Sequence, residues 1–330
     1  MDPNAAMEAA AESAKAFTKF QEIIQKMFNP HWTKKQADAD AYADERKLQT
    51  IRDNPDMEIV YRDGLLNARE RSPEALAHRA EQRKLAESIR QEGNLENVLN
   101  ITENELQQMI NISDEPVDED WLTRFFHIAE DVSSEDMQFI WGKILAGEIK
   151  QPGSFSYRTL ETVKNLCKSE AEAFQKIAPL VLKDGSSRFL VTDSDILEKY
   201  NINFSVLSSL GECGLLNTDG FTYQNYEIGE NTRRFLFTDK YMLMFCGDKA
   251  HKVELNVYHL TKAGRELLNI IECEPNSDYF FDVADFIWND EKKREFCLKI
   301  YEIDQIADGA IKIRKSPLKE FSSQMVKPKF

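Results

Sequence analysis

The residues able to do chemistry in this chain are mostly carboxylates, and the densest group is Asp114, Glu115, Asp118, Glu119 and Asp120. Paired carboxylates can hold a divalent cation, but these lack the D-x-D-x-D-G-x-x-x-x-x-E spacing of a calcium loop. Lying just ahead of an amphipathic segment, they suit the positive end of a helix dipole, with Ser113 as its cap. His127 and Glu130, three apart, share a helical face and could share a metal. A catalytic zinc needs three protein ligands, however, and the other histidines, His31, His78, His251 and His259, are scattered. Glu148-Ile149-Lys150, with Asp136 upstream, has the E-x-K form of many nucleases. Those sites hold their acids beside a cation on strands, whereas this stretch ends an amphipathic helix, so a solvated helix terminus is expected. No G-x-x-x-x-G-K-[ST], G-x-G-x-x-G or G-x-S-x-G pattern occurs, which removes the common nucleotide and hydrolase chemistries. No catalytic residue, cofactor or metal is therefore expected, with a nuclease as the enzymatic alternative.

Binding is the other way to function. A net charge of −15 repels phosphate over the molecule as a whole, so general nucleic-acid binding is disfavoured. Residues 306–330 form the one basic stretch, read as a flexible, solubilising end that could instead dock on an acidic surface. Cys167, Cys213, Cys246, Cys273 and Cys297 are odd in number, scattered and without a C-x-x-C pair, which fits buried unpaired thiols in a reducing cytosol. The opening MDPNAAMEAAAESAK carries acids where a signal peptide carries positive charge, so the expected location is cytoplasmic. No window approaches the roughly 18 apolar residues of a spanning helix.

The elements that would position these residues begin with long helices. Phe17, Phe20, Ile23, Ile24, Met27 and Phe28 recur at helical spacing before Asn29-Pro30 ends the run. With Lys15, Lys19 and Lys26 nearby and Trp32 beyond, this stripe would pack on another helix, such as that of a second copy. The alternative is peripheral membrane contact through residues 15–32. Phe17, Phe20, Ile24, Phe28 and Trp32 are the interaction candidates. A polar helix is expected from Thr33, and a third from Pro73, capped by Ser72 and stopped by Gly93.

In the centre, Trp121, Leu122, Phe125, Phe126 and Ile128 mark one buried face, and Met137, Ile140, Trp141, Ile144 and Leu145 a second. Ser133 and Asp136 are spaced as a variant capping box. Ser156 caps a third helix, and EAEAFQKIAPLVL forms a fourth. From residue 188 the period changes to strand, helix, helix, strands and helix, the order of a winged-helix domain, with Thr261 capping the last helix. Its would-be recognition helix, NFSVLSSLGECGLLN, has no Lys or Arg, and residues 190–276 hold 13 acids against 8 bases. Protein contact therefore outweighs DNA reading. Arg233, Arg234 and Lys240 are the best candidates for nucleic-acid contact. DYFFDVADFIW and FCLKIYEI add a helix and a strand.

The block SDEPVDEDWLTRFFHIAEDVSSEDMQFIWGKILAGEIKQPGSFSYRTLETVKNL, residues 113–166, resembles the signature of a bacterial family known only as a domain of unknown function. The resemblance extends more loosely to HWTKKQADADAYADERK and to the winged-helix-like region, and brings no activity or catalytic residues with it. The shorter EDVSSEDMQFIWGKILA is similar to abortive-infection alpha proteins, which implies a phage-defence setting.

The expectation is an α+β, mostly α protein. Residues 1–112 form an N-terminal helical arm, 113–184 a central helical bundle, 185–275 a winged-helix-like domain, and 276–330 a helix-strand extension with a basic tail. Its expected role is a non-catalytic interaction, regulatory or scaffold protein, a homo-oligomer or bound to a protein partner, with a winged-helix nucleic-acid binder as the rival.

Overall fold

The computed structural model describes residues 3–27, 58–62, 65–69, 73–230, 232–247, 249–290, 296–307 and 310–322. The chain is α+β and mostly helical, and divides into two compact units, Met1–Ser154 and Phe155–Phe330. The division falls inside the 113–184 stretch that the sequence reads as one bundle. The helix expected from Thr33, together with Phe28, Trp32 and residues 323–330, lies outside the described residues.

In the first unit, α1 (Pro3–Met27) and a hairpin of β1 (Glu58–Arg62) and β2 (Leu65–Arg69) precede α2 (Pro73–Leu106), α3 (Glu119–Ala129) and α4 (Glu135–Lys150). The hairpin corrects the reading of the first hundred residues as helices alone. Ile59, Val60 and Tyr61 are strand formers, and the strands pair from Glu58↔Arg69 to Arg62↔Leu65.

Gly93 does not stop α2, which continues for 13 residues to Leu106. A helical glycine costs about 1 kcal/mol relative to Ala, and the burial of Val98, Thr102 and Leu106 outweighs that. At Gly142 of α4, an added Cβ would lie 2.5 Å from Ile101 Cγ2 of α2, so the missing side chain permits the close approach of the two helices. The Thr102 hydroxyl spans the seam, donating to Val98 O at 2.8 Å and Gly142 O at 3.2 Å. Trp121 stacks on Phe125, which meets the edge of Trp141 at 5.3 Å, joining α3 to α4.

Two caps differ from expectation. Asp118, not Ser113, starts α3 by accepting from Trp121 N at 2.8 Å; the Ser113 hydroxyl accepts instead from Glu115 N. At α4 the cap position belongs to Ser134, and Ser133 accepts from Arg90 and Asn94 of α2. Several serines and acids within a few residues compete for each helix start, and tertiary partners decide among them.

The second unit opens with α5 (Tyr157–Lys164), α6 (Lys168–Ile177) and a 3-10 turn at Ala178–Leu180. Then come β3 (Leu182–Asp184), β4 (Ser187–Val191), α7 (Ser194–Lys199), α8 (Phe204–Glu212), β5 (Leu216–Ile228), β6 (Arg234–Phe237), β7 (Tyr241–Cys246) and β8 (His251–Leu260). The chain continues through α9 (Lys262–Leu268), α10 (Ser277–Asp290), β9 (Cys297–Ala307), β10 (Ala310–Ile313) and β11 (Lys319–Phe321). The strands make one antiparallel sheet in the order β10-β9-β7-β6-β3-β4-β8-β5, with β11 also on β9. Thr261 caps α9 as expected, accepting from Gly264 N.

The tail is a correction. Residues 310–313 and 319–321 pair with β9 rather than trailing as a flexible end. Arg314 pairs with Glu302, Lys312 with Asp304, and Lys319 with Asp285, so these three basic residues of the tail meet acids of their own chain. The cysteine reading is corrected too: Cys246 and Cys297 form a disulfide, Cys167 and Cys273 are exposed, and Cys213 is half-buried. A separation of 51 residues hides from the sequence what the sheet register brings together.

Candidate interaction sites

The stripe on α1 is divided. Ala16, Phe20 and Ile23 are buried in the first unit, Ile24 is half-buried and Phe17 is 46% exposed. Two of the neighbouring lysines are also engaged. The Lys19 ammonium donates to Ile149 O at 2.8 Å and Ser113 O at 3.3 Å, at the negative end of α4. Lys15 meets Asp114 at 2.7 Å. Burial, followed by the Lys15 charge, lowers the Lys19 pKa. The Lys15 hydrogen bond and charge lower that of Asp114. Lys15, Lys19 and Glu22 face Asp114, Val117 and Leu122 across a cleft of 390 Å³, apolar at its base and edged by both charge signs. Such a cleft suits a small ligand of mixed polarity, and offers neither sign a clear preference.

Glu148 is not a solvated terminus. Its side chain is buried, 2% exposed, and accepts from Gly153 N at 2.6 Å, which closes the loop after α4. Asp136, its expected partner in a nuclease motif, is exposed near the other end of the helix. The two therefore do not converge. His127 and Glu130 do meet, at 3.3 Å on α3, with His127 largely exposed. Among the described residues no three His, Cys, Asp or Glu side chains gather as a metal would require. The acids at 114–120 divide their work: Asp118 caps α3, Asp114 holds Lys15, and Glu119 and Asp120 lie in the first helical turn.

Arg233, Arg234 and Lys240 are exposed, but stand at opposite ends of β6, the arginines at its start and Lys240 in the turn to β7. Three residues of strand follow Arg234 before the turn, roughly 10 Å at about 3.3 Å per residue. The Lys240 ammonium lies over the Tyr241 ring. In α8 Phe204 is 83% exposed to solvent.

Sequence reasoning passed over the surface of α2. Residues 81–90 are exposed without a break, and Leu85 and Ile89, one turn apart, are 64% and 65% exposed. An apolar pair at i, i+4 inside a charged run is the signal that could have found them. Just beyond, α2 is tied to the α3–α4 turn by an amide network. Asn94 donates to Glu130 O at 2.8 Å, Gln138 donates to Asn94 Oδ1 and Val132 O, and Asn97 donates to Gln138 Oε1.

This arrangement of α2, α3, α4 and the first part of the sheet coincides with residues 78–284, which match the family described as protein of unknown function (DUF2806). The chain belongs to the DUF2806 family. No curated protein and no solved structure matches it. The match takes in the buried aromatic faces of α3 and α4, the exposed pair on α2 and the strands from β3 to β8, so the DUF2806 region covers parts of both units. Among the described residues of this DUF2806 protein, no helix is long and apolar enough to cross a membrane.

Proposed function

We propose that this DUF2806 protein is a non-catalytic interaction or scaffold protein that self-associates or binds a protein partner through the exposed face of α2. The observation that carries the reading is the uninterrupted exposure of residues 81–90 around Leu85 and Ile89. A rigid helix that holds an apolar pair in solvent among charges of both signs has the form of a helix-in-groove or helix-pair contact, an apolar anchor with a polar rim. The interior supports the same reading: Glu148, Lys19 and the Asn94–Gln138 amides spend their hydrogen bonds on the chain's own backbone and side chains. Light scattering on wild-type protein is expected to give a mass above that of one chain, and Leu85→Lys with Ile89→Lys to return it to the monomer. A wild-type monomer that captures no protein partner through α2 would overturn the reading.

The second unit supports a winged-helix-like reading. α6, β4, α7 and α8 are followed by β5 and β8, the order β4-β8-β5 forms one end of the sheet, and β6–β7 is inserted where a wing stands. Its second helix offers Phe204 to solvent and no Lys or Arg, which favours protein contact over base reading. An electrophoretic shift that weakens steeply with salt would reverse this preference. We propose a phage-defence setting in a bacterial cytoplasm from the sequence of residues 130–146 alone, and plaque counts with and without the gene test it.

A further inference from the structure

β7 and β9 run side by side through six register pairs, from Tyr241↔Glu302 to Cys246↔Cys297. The last pair sets two cysteines directly opposite each other, Cα atoms 5.2 Å apart, and a disulfide joins them. Two features distinguish this bond from a permanent staple. The ladder beneath it already holds the strands, with Leu243, Phe245, Leu298 and Ile300 fully buried. The bond sits at the ladder's end, where Cys246 closes β7 and Cys297 opens β9, so it can break without parting the strands. The chain also carries three unpaired cysteines, with Cys167 and Cys273 exposed. Exposed thiols persist where reductants keep them reduced, and in such surroundings a disulfide is characteristically one that forms and breaks.

We propose that Cys246 and Cys297 are a reversible thiol–disulfide switch, opened by a dithiol reductant and closed again by its oxidised form while the unit stays folded. Cys246 is half-buried and Cys297 buried, so the sulfur within reach is that of Cys246. A thiolate of the reductant attacks it, forming a mixed disulfide and releasing Cys297 as the thiolate. The reductant's second thiol then attacks its own bridged sulfur, releasing Cys246 and leaving the reductant as a disulfide. Two electrons pass to the protein, and Cys246 and Cys297 end as thiols. The register of β7 and β9 keeps them opposed for the return. Cys213 and Cys273 compete poorly as attacking thiolates, because burial pushes the Cys213 thiol up to about 11 and raises that of Cys273.

The bond acts on the start of β9. Phe296, adjacent to Cys297, is fully buried, with Trp288 of α10 at 6.0 Å and His251 of β8 at 5.1 Å. Closure pins this aromatic group; opening loosens the first residue of β9 and alters the surroundings of Trp288.

The test opens the folded full chain with reduced dithiothreitol and, after its removal, returns it to graded ratios of oxidised to reduced glutathione. At each step a sample is quenched in acid and unfolded, its thiols are blocked with iodoacetamide and its peptides weighed, while tryptophan emission and far-ultraviolet circular dichroism are read on the folded chain. Cys246 and Cys297 are expected to be labelled together at reducing ratios, with circular dichroism unchanged, an emission shift, and protection restored on oxidation. Cys246→Ser is expected to abolish the emission shift. A bond that resists dithiothreitol until the chain is denatured would identify a permanent staple, and thiols that persist in oxidised glutathione would mean no bond; either overturns the proposal. Emission indifferent to the bond overturns the coupling to Trp288. The labelling uses wild-type protein, so it does not depend on a variant that folds.

Discussion

Glu266 shows how much one buried carboxylate can organise. Its Oε2 accepts from Ser156 N at 2.7 Å, from the Ser156 hydroxyl at 3.1 Å and from the Thr159 hydroxyl, so a side chain of α9 caps α5 from 110 residues away. Glu266→Ala would leave those donors without their acceptor, and is expected to cost about 2–3 kcal/mol, read from urea unfolding. His259 sets a pH dependence. Burial, then the Arg265 charge, hold its imidazole below the ordinary value near 6.5. The unfolded chain therefore takes up a proton that the folded chain refuses. Its contribution to stability is complete above about pH 6.5 and lost as the pH falls through the lowered folded value. Urea midpoints between about pH 5 and 7.5 should show this slope, and His259→Gln should flatten it. The caps at this scale were half readable. Thr261 stood alone before its helix and was found, whereas Ser113 and Ser133 each had a competitor nearby, Asp118 and Ser134.

Among elements, α2 and α4 give a paired prediction in which one substitution has opposite signs. Gly93 has open space where a Cβ would stand, so Gly93→Ala should stabilise by about 1 kcal/mol through helix propensity alone. At Gly142 the Cβ would press on Ile101, so Gly142→Ala should destabilise by about 1–3 kcal/mol. Urea unfolding of both variants against wild type tests the pair, and two shifts of the same sign would contradict the packing described for α2 and α4. Amphipathic period was enough to place the buried face of α3, where Trp121, Leu122, Phe125, Phe126 and Ile128 are all inside. It was not enough for α4, because Met137 and Ile140 are half-buried and Gln138, Lys143 and Glu148 are inside as well. A helix buried on nearly every side loses the polar face from which its period is read.

At the scale of the molecule, the disulfide makes the largest single prediction. It closes a separation of 51 residues, for which loop-closure entropy gives about 4 kcal/mol at 25 °C. Thermal unfolding with and without dithiothreitol should differ accordingly, and a melting temperature indifferent to reductant would contradict the bond. The charge of −15 also looks different once folded. Lys15, Lys319 and Arg314 each face an acid of the same chain. The net acidity favours solubility and opposes phosphate.

From the sequence alone follow the family signature, the mostly helical α+β class, the aromatic face of α3 and the succession of strands and helices after residue 188. Each is written in a local period or a run of adjacent residues, and local patterns survive without knowledge of the fold. Only the tertiary structure brought Cys246 to Cys297, Glu266 to Ser156 and Lys19 to the end of α4, drew the tail into the sheet, and left Leu85 and Ile89 in solvent. Those outcomes depend on which distant segment arrives at a given surface. Side chains of identical type are buried, paired or exposed according to a neighbour that no local pattern names.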